Sequence, residues 1–103
     1  MFLSDNETYI GTKLKYIIEI GSSGFSMESD RFTVDIMRGN NAMHFEKYDM
    51  ETDDQGNWYV CFDTLALGTG RVTAKVTAYV PDDDYEDGFR VEVQKIDLVN
   101  IKA

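Results

Sequence analysis

The segment at residues 71–81, RVTAKVTAYVP, alternates strictly between apolar and polar or amphipathic residues. A period of two is the pattern of a strand with one face buried, and here the buried face would carry only valine and alanine. Because these side chains are small, bulky side chains from other strands should pack against them. The candidates for that packing are Trp58, Phe62, Phe32 and Tyr16.

Similar alternation predicts further strands at residues 13–20, 31–37, 43–48, 58–63 and 89–101. Segments rich in Gly, Ser, Asn and Asp separate them, at residues 21–24, 39–41, 49–57 and 82–88. No stretch has a sustained period of 3.6 residues. The chain therefore predicts an all-β fold, an immunoglobulin-like antiparallel β-sandwich of about seven strands.

Two local features refine this prediction. Leu65 and Leu67 precede a glycine-rich break, which is typical of a single helical turn that closes one end of a sandwich. In the last strand the apolar parity changes between Val93 and Ile96, which predicts a β-bulge near Lys95.

A chain of 103 residues, 43% of them hydrophobic, is long enough for one domain with its own core. We expect a single domain over residues 1–103, with residues 1–12 as a lead-in that includes at most a short edge strand. Cys61 is the only cysteine, so the chain forms no internal disulfide. The cysteine is expected to face the interior or a sheet surface, and a reactive nucleophile is the second interpretation.

The formal net charge of −9 disfavours nucleic acid and anionic membrane surfaces as partners. The N-terminal sequence MFLSDNETYIG lacks a basic region followed by a long apolar run, so no signal peptide is predicted. Apolar runs are too short to cross a bilayer. A soluble protein is expected, with partners that are other protein subunits or domains, or a second copy of this chain.

No arrangement of residues predicts catalysis. His44 is the sole histidine and falls within a predicted strand, without a nucleophile motif near it in the sequence. The segment LGTG at residues 67–70 precedes a strand and lacks the lysine of a phosphate-binding loop. We therefore expect a protein that is not an enzyme, with no catalytic residues and no cofactor.

The acidic loop PDDDYEDG at residues 81–88 is the sharpest candidate for metal binding. Hard oxygen ligands for calcium could come from Asp82, Asp84, Glu86 and Asp87. The spacing departs from an EF-hand loop, because Gly88 falls one place late and no closing glutamate follows. A solvated acidic turn that also discourages edge-to-edge sheet pairing is the favoured interpretation, with no metal bound.

Two tyrosines are candidates for an interface. Tyr59 and Tyr79 lie on the parity opposite to the core residues of their strands. Tyrosine is enriched at protein interfaces, so either ring could pack on a partner. Each could equally cover the outer face of its own sheet.

Three stretches resemble a known group of modules. WYVCFDTLALGTGRVTAKVTAYV has the strand, crossover and long-strand layout of many immunoglobulin-like domains. PDDDYEDGFRVEV and RFTVDIMRG resemble segments of immunoglobulin-like modules from Bacteroides-type phages and prophages, and the whole layout resembles N-terminal domains of phage baseplate and tail-fibre proteins. The resemblance implies a structural module of a virion tail, assembled in the bacterial cytoplasm, and it carries over no site residues.

We therefore expect a structural or adaptor module that docks on another protein through a sheet face or a loop end. The alternative is a carbohydrate- or calcium-dependent surface-binding module, which requires the loop at residues 82–87 to order around an ion.

Overall fold

The computed structural model describes residues 7–103 and contains two β-sheets. The eight strands are β1 (Glu7–Tyr9), β2 (Lys13–Ile18), β3 (Phe32–Arg38), β4 (Asn41–Phe45), β5 (Glu51–Thr52), β6 (Trp58–Asp63), β7 (Gly70–Pro81) and β8 (Phe89–Lys102). Residues 1–6 of the predicted lead-in lie outside the described part. Glu7–Tyr9 forms the short edge strand that the sequence allowed there.

The strand order is that of an immunoglobulin-like sandwich. The larger sheet has the order β1-β8-β7-β3-β4, and the smaller has β2-β6-β5. All pairings are antiparallel except that of β1 with β8, which is parallel. The all-β sandwich prediction is confirmed, with eight strands in the described residues.

The predicted inner face of β7 is confirmed. Val72, Ala74, Val76, Ala78 and Val80 are all buried. Their small side chains leave room for the large ones of the opposite sheet, which include Trp58 and Phe62. The prediction was wrong about the position of Phe32, because β3 lies beside β7 and pairs Phe32 with Ala78 in the same sheet. The Phe32 ring instead reaches across the core and meets the Trp58 ring edge-on, with 5.7 Å between the two ring centroids.

The hairpin between β3 and β4 has a two-residue loop. Arg38 pairs with Asn41, so the loop consists of Gly39 and Asn40 alone. Gly39 has φ +55°, the positive value that the first loop residue of a type II′ turn requires. The returning strand was predicted too late, because β4 ends at Phe45 and a 3₁₀ turn occupies Lys47–Asp49. The acidic segment after it also contains the short strand β5, paired with β6.

The long hairpin of β7 and β8 contains one irregularity, and it lies beyond the predicted place. Val72 pairs with Val99 while Thr73 pairs with Asp97, so Leu98 is the extra residue. The pairing at Lys95 is regular. The bulge prediction was therefore wrong by three residues, and the change of apolar parity near Lys95 has a different cause, described below.

The helical turn that the sequence predicted between β6 and β7 is present at Thr64–Ala66. Leu67 follows it and is 1% exposed, which closes this end of the core. Among residues 7–103, no helix has the length and apolar character needed to cross a membrane.

Candidate functional site

The outer edge of β8 is largely open. Within the described residues, β8 pairs with β7 along its length, and on its other side it pairs with β1 only at Asn100–Lys102. The segment Phe89–Val93 therefore has one strand neighbour. A strand in this position carries a row of backbone donors and acceptors that a second chain can pair with.

The outer face of this segment is apolar. Phe89, Val91 and Val93, which we call the β8 strip, are 42%, 51% and 54% exposed. They lie opposite Pro81, Tyr79 and Thr77 of β7, which place them on the solvent side of the sheet. Exposed apolar side chains are ordinary when scattered, but three in a row along an open strand edge are typical of a contact surface.

The inner face of the same segment is polar. Arg90, Glu92 and Gln94 lie opposite Val80, Ala78 and Val76, so they point to the side on which β7 buries its core residues. The segment that follows β2 lies against this face. Glu92 and Gln94, together with residues 19–22, border a groove of about 260 Å³.

Hydrogen bonds tie this polar face to the chain around it. The Ser22 hydroxyl donates to Glu92 Oε1 at 2.5 Å, and Arg90 Nη2 donates to the Ser23 carbonyl oxygen at 3.2 Å. Arg90 also donates to Glu92 Oε2 at 2.8 Å and to Asp82 Oδ2 at 2.7 Å. The hydrogen bond from the Ser22 hydroxyl, followed in importance by that from the Arg90 guanidinium, lowers the pKa of the Glu92 carboxyl. Glu92 and Arg90 are therefore both charged at neutral pH.

The other open edges of the sandwich are less suited to pairing. β2 ends the smaller sheet, and its exposed residues include Lys13 and Lys15, the residue type that most often blocks strand addition. β4 ends the larger sheet, where its exposed His44 is bound by two carboxylates. Along the open part of β8, the three outward side chains of the β8 strip are apolar, and the charged Lys95 and Asp97 follow them on the same face.

The structure separates the two tyrosines predicted for an interface. Tyr79 lies opposite Val91 and so borders the β8 strip, with the Arg31 guanidinium 4.5 Å from its ring centroid. Tyr59 lies on the other sheet, where Lys15 Nζ sits 4.0 Å from its ring centroid and Glu51 accepts its hydroxyl at 2.9 Å. Each ring is thus partly covered by a cation of its own chain, and only Tyr79 adjoins the exposed apolar surface.

Two of the four calcium candidates, Asp82 and Asp87, accept hydrogen bonds within their own loop and its flanks. Asp82 accepts from Arg90 and from the Asp84 backbone N–H, and these contacts, the backbone one first, lower the pKa of its carboxyl. Asp87 accepts from the Phe89 backbone N–H at 3.2 Å. Over residues 7–103 no group of three or more His, Cys, Asp or Glu side chains is arranged to hold a metal ion. The hydrogen bonds of Asp82 and Asp87 instead fix the turn that starts β8.

His44 lies between two carboxylates. Its Nδ1 is 2.6 Å from Asp35 Oδ1, and its Nε2 is 2.7 Å from Glu46 Oε2. These contacts, that with Glu46 first, raise the pKa of the imidazole. Cys61 is exposed on the outer side of β6, where one of its two predicted positions placed it. The two residues belong to the outer faces of different sheets, so the sandwich separates them.

Sequence reasoning missed the β8 strip. Phe89, Val91 and Val93 alternate with Arg90, Glu92 and Gln94, and an apolar set is normally assigned to the core. The register of the β7–β8 hairpin gives the opposite result. No signal in the sequence fixes this choice, because it depends on the pairing of Pro81 with Phe89, which decides the parity that shares a face with Val80 and Ala78.

Comparison of the chain with protein-family models, with curated proteins and with solved structures gave no match in any of the three.

Proposed function

We propose that this chain is a non-enzymatic structural or adaptor module that acts through protein–protein contacts at the outer edge of β8. The observation that carries the proposal is the coincidence of an open strand edge with three exposed apolar side chains at Phe89, Val91 and Val93. Strand addition at such an edge supplies backbone hydrogen bonds, while alternate side chains supply specificity.

The surface around the edge supports selective docking. The protein carries a formal net charge of −9, which keeps copies and unrelated acidic proteins apart at long range. At the edge itself, Lys95 supplies positive charge on the same face as the apolar strip, while Arg90 on the other face is paired with Glu92 and Asp82. A partner must therefore match both an apolar ladder and a local pattern of charges, which favours one defined contact over general adhesion.

The resemblance to immunoglobulin-like phage modules suggests the assembly in which the module works. We propose a tail or baseplate of a phage or prophage, with the chain joining other structural subunits. This finer proposal rests on the resemblance of the segments at residues 31–39 and 81–93, together with the sandwich fold.

Site-specific photo-cross-linking in the native host tests the function. A photoreactive benzoylphenylalanine replaces Val91 in one variant and Ile17 in another; each native side chain is 51% exposed, and Ile17 belongs to the other sheet. After irradiation, cross-linked products are identified by mass spectrometry. We expect one defined protein from position 91 and no such product from position 17.

The outcomes separate the two levels of the proposal. Products that are equally diverse from both positions, or none from position 91, contradict docking through β8. A defined product that is a metabolic enzyme and not a virion protein or this chain itself contradicts the tail assignment, while leaving the docking surface intact.

A further inference from the structure

The β8 strip is complementary to itself. Resting on the proposed function above, we infer that the edge is occupied by β8 of a second copy of this chain, paired antiparallel about a two-fold axis through Val91. The two five-stranded sheets would then join into one continuous sheet.

The backbone groups of the strip residues face the open edge. The Asp82 N–H donates to the Gly88 carbonyl at 2.8 Å, so this pair is hydrogen-bonded across the hairpin. Hydrogen-bonded and non-bonded pairs alternate along an antiparallel ladder. The next bonded pairs toward β7 are then those of Arg90 and Glu92. The N–H and C=O groups of Phe89, Val91 and Val93 consequently point away from β7.

Symmetry restricts how two such edges can meet. A two-fold axis perpendicular to a sheet relates antiparallel neighbours, and the residue on the axis faces its own copy. Residues equally far on either side of the axis face each other on the same side of the sheet. With Val91 on the axis, Phe89 faces Val93 of the second copy. Arg90 then faces Glu92 of the second copy.

This register uses every side chain of the strip. On the outer face, six apolar side chains from the two copies form one ladder, with Val91 against Val91 at its centre. On the inner face, the Arg90–Glu92 ion pair that each copy forms within its own chain lies antiparallel to that of the other copy, so opposite charges are neighbours across the axis. These are non-hydrogen-bonded positions, where side chains approach most closely. Opposite charges at such positions stabilise a strand pair, and like charges destabilise it.

Other symmetric registers lack this match. An axis at Arg90, Glu92 or Lys95 places two like charges face to face. An axis at Val93 sets Arg90 against Ile96, and an axis at Gln94 sets Glu92 against Ile96. Registers centred farther along β8 run into the extra residue at Leu98 and the pairing with β1. Of these registers, the axis at Val91 is the one that sets the apolar side chains against each other and places opposite charges next to each other.

Light scattering during size-exclusion chromatography tests the dimer with purified full-length protein. The measurement covers a hundredfold range of concentration at about 0.15 M salt, where the Debye length of about 8 Å screens the net repulsion between acidic copies. We expect a dimer that dissociates on dilution. Val91→Lys places two ammonium groups on the axis and should raise the dimer dissociation constant at least about tenfold. The control Ile17→Lys should leave the constant unchanged.

Cysteine cross-linking tests the register. In the Cys61→Ser background, Val91→Cys brings two thiols together at a pair whose Cα atoms are about 5.5 Å apart, within disulfide range. Val93→Cys leaves the equivalent Cα atoms about 14 Å apart along the strands, which is beyond reach. Under mild oxidation we expect a covalent dimer from Val91→Cys and none from Val93→Cys.

Three results would overturn the inference: a wild-type monomer at all concentrations, a dimer that Val91→Lys leaves intact, or equal cross-linking from both cysteine positions. If the purified protein is monomeric while position 91 cross-links a different protein in the host, the self-pairing fails and the proposed docking function stands. Absence of both contradicts the two together.

Discussion

Glu92 on β8 lies directly opposite Ala78 on β7, so a carboxylate occupies a position on the core-facing side of the larger sheet. The segment after β2 contacts it there, with the Ser22 hydroxyl 2.5 Å from Oε1, and the Glu92 side chain remains 41% exposed. The same arrangement sends Val91 and Val93 outward, where they are available for contact.

Ser22→Ala tests this arrangement. Ser22 is the main cause of the lowered pKa of Glu92, so its removal should return that pKa toward the ordinary value. A carboxyl whose pKa is lowered by folding stabilises the fold above its unfolded pKa and loses this contribution as the pH falls. We expect Ser22→Ala to lower the urea midpoint at pH 7 and to differ less from wild type near pH 3.

Ser23→Ala is the matched control for that experiment. Ser23 contributes its carbonyl oxygen to Arg90, and alanine keeps that group. Its urea midpoint should stay close to that of wild type at both pH values. Equal losses from both serine variants would mean that the Ser22 hydroxyl does not hold this end of β8.

The β7 strand shows what can be predicted from sequence. Its alternation involves five small apolar residues with no competing apolar set, so its buried face follows directly from the period of two. The helical turn before β7 was also predictable, because Leu65 and Leu67 are followed at once by the glycine-rich break at Gly68. The Phe32 error is of another kind. Whether a residue lies beside a strand or across the core depends on sheet order, which period alone does not encode.

The β8 strand shows what cannot be predicted. Two alternating sets compete for the core there, and the choice depends on hairpin register. A shift of one residue would exchange the faces of Val91 and Glu92. The apolar residues of β8 therefore change face without a bulge. Val93 lies on the outer face of the larger sheet, and Ile96 lies on its core-facing side, opposite Ala74. This change was interpreted as a backbone bulge, which the structure instead places at Leu98.

Leu67 and Leu65 allow a direct test of the turn that closes the core. Leu67 is 1% exposed and Leu65 is 67% exposed, although only one residue separates them. Leu67→Ala leaves a cavity and should lower the free energy of unfolding by about 2–5 kcal/mol. Leu65→Ala should change it by less than about 0.5 kcal/mol. Chemical denaturation followed by Trp58 fluorescence measures both, and similar losses would contradict the burial of Leu67.

Calcium should not stabilise the protein. Asp82 Oδ2 already pairs with the Arg90 guanidinium, so an ion at this carboxylate would compete with a cation of the chain itself. We expect the same melting temperature with 1 mM calcium, about the upper end of the affinity range of extracellular modules, and with a chelator. A ligand that binds the folded state raises the melting temperature by mass action. A reproducible rise with calcium, lost in Asp84→Asn, would favour the ion-dependent alternative.

His44 should make stability depend on pH in the neutral range. Contacts with Glu46 and Asp35 raise the pKa of the folded imidazole above 6.5, its ordinary value. Its protonated form therefore stabilises the fold fully below pH 6.5, and this contribution is lost as the pH rises through the folded-state pKa.

Because the chain has one histidine, a single imidazole signal in an NMR titration reports the pKa of His44 directly. Glu46→Gln should lower it, and by more than Asp35→Asn does, since the contact with Glu46 is the larger cause. Glu51→Gln, which alters a carboxylate bonded to Tyr59 on the other sheet, should leave it unchanged. An imidazole pKa at or below 6.5 in the wild type would contradict the carboxylate contacts on both sides of the ring.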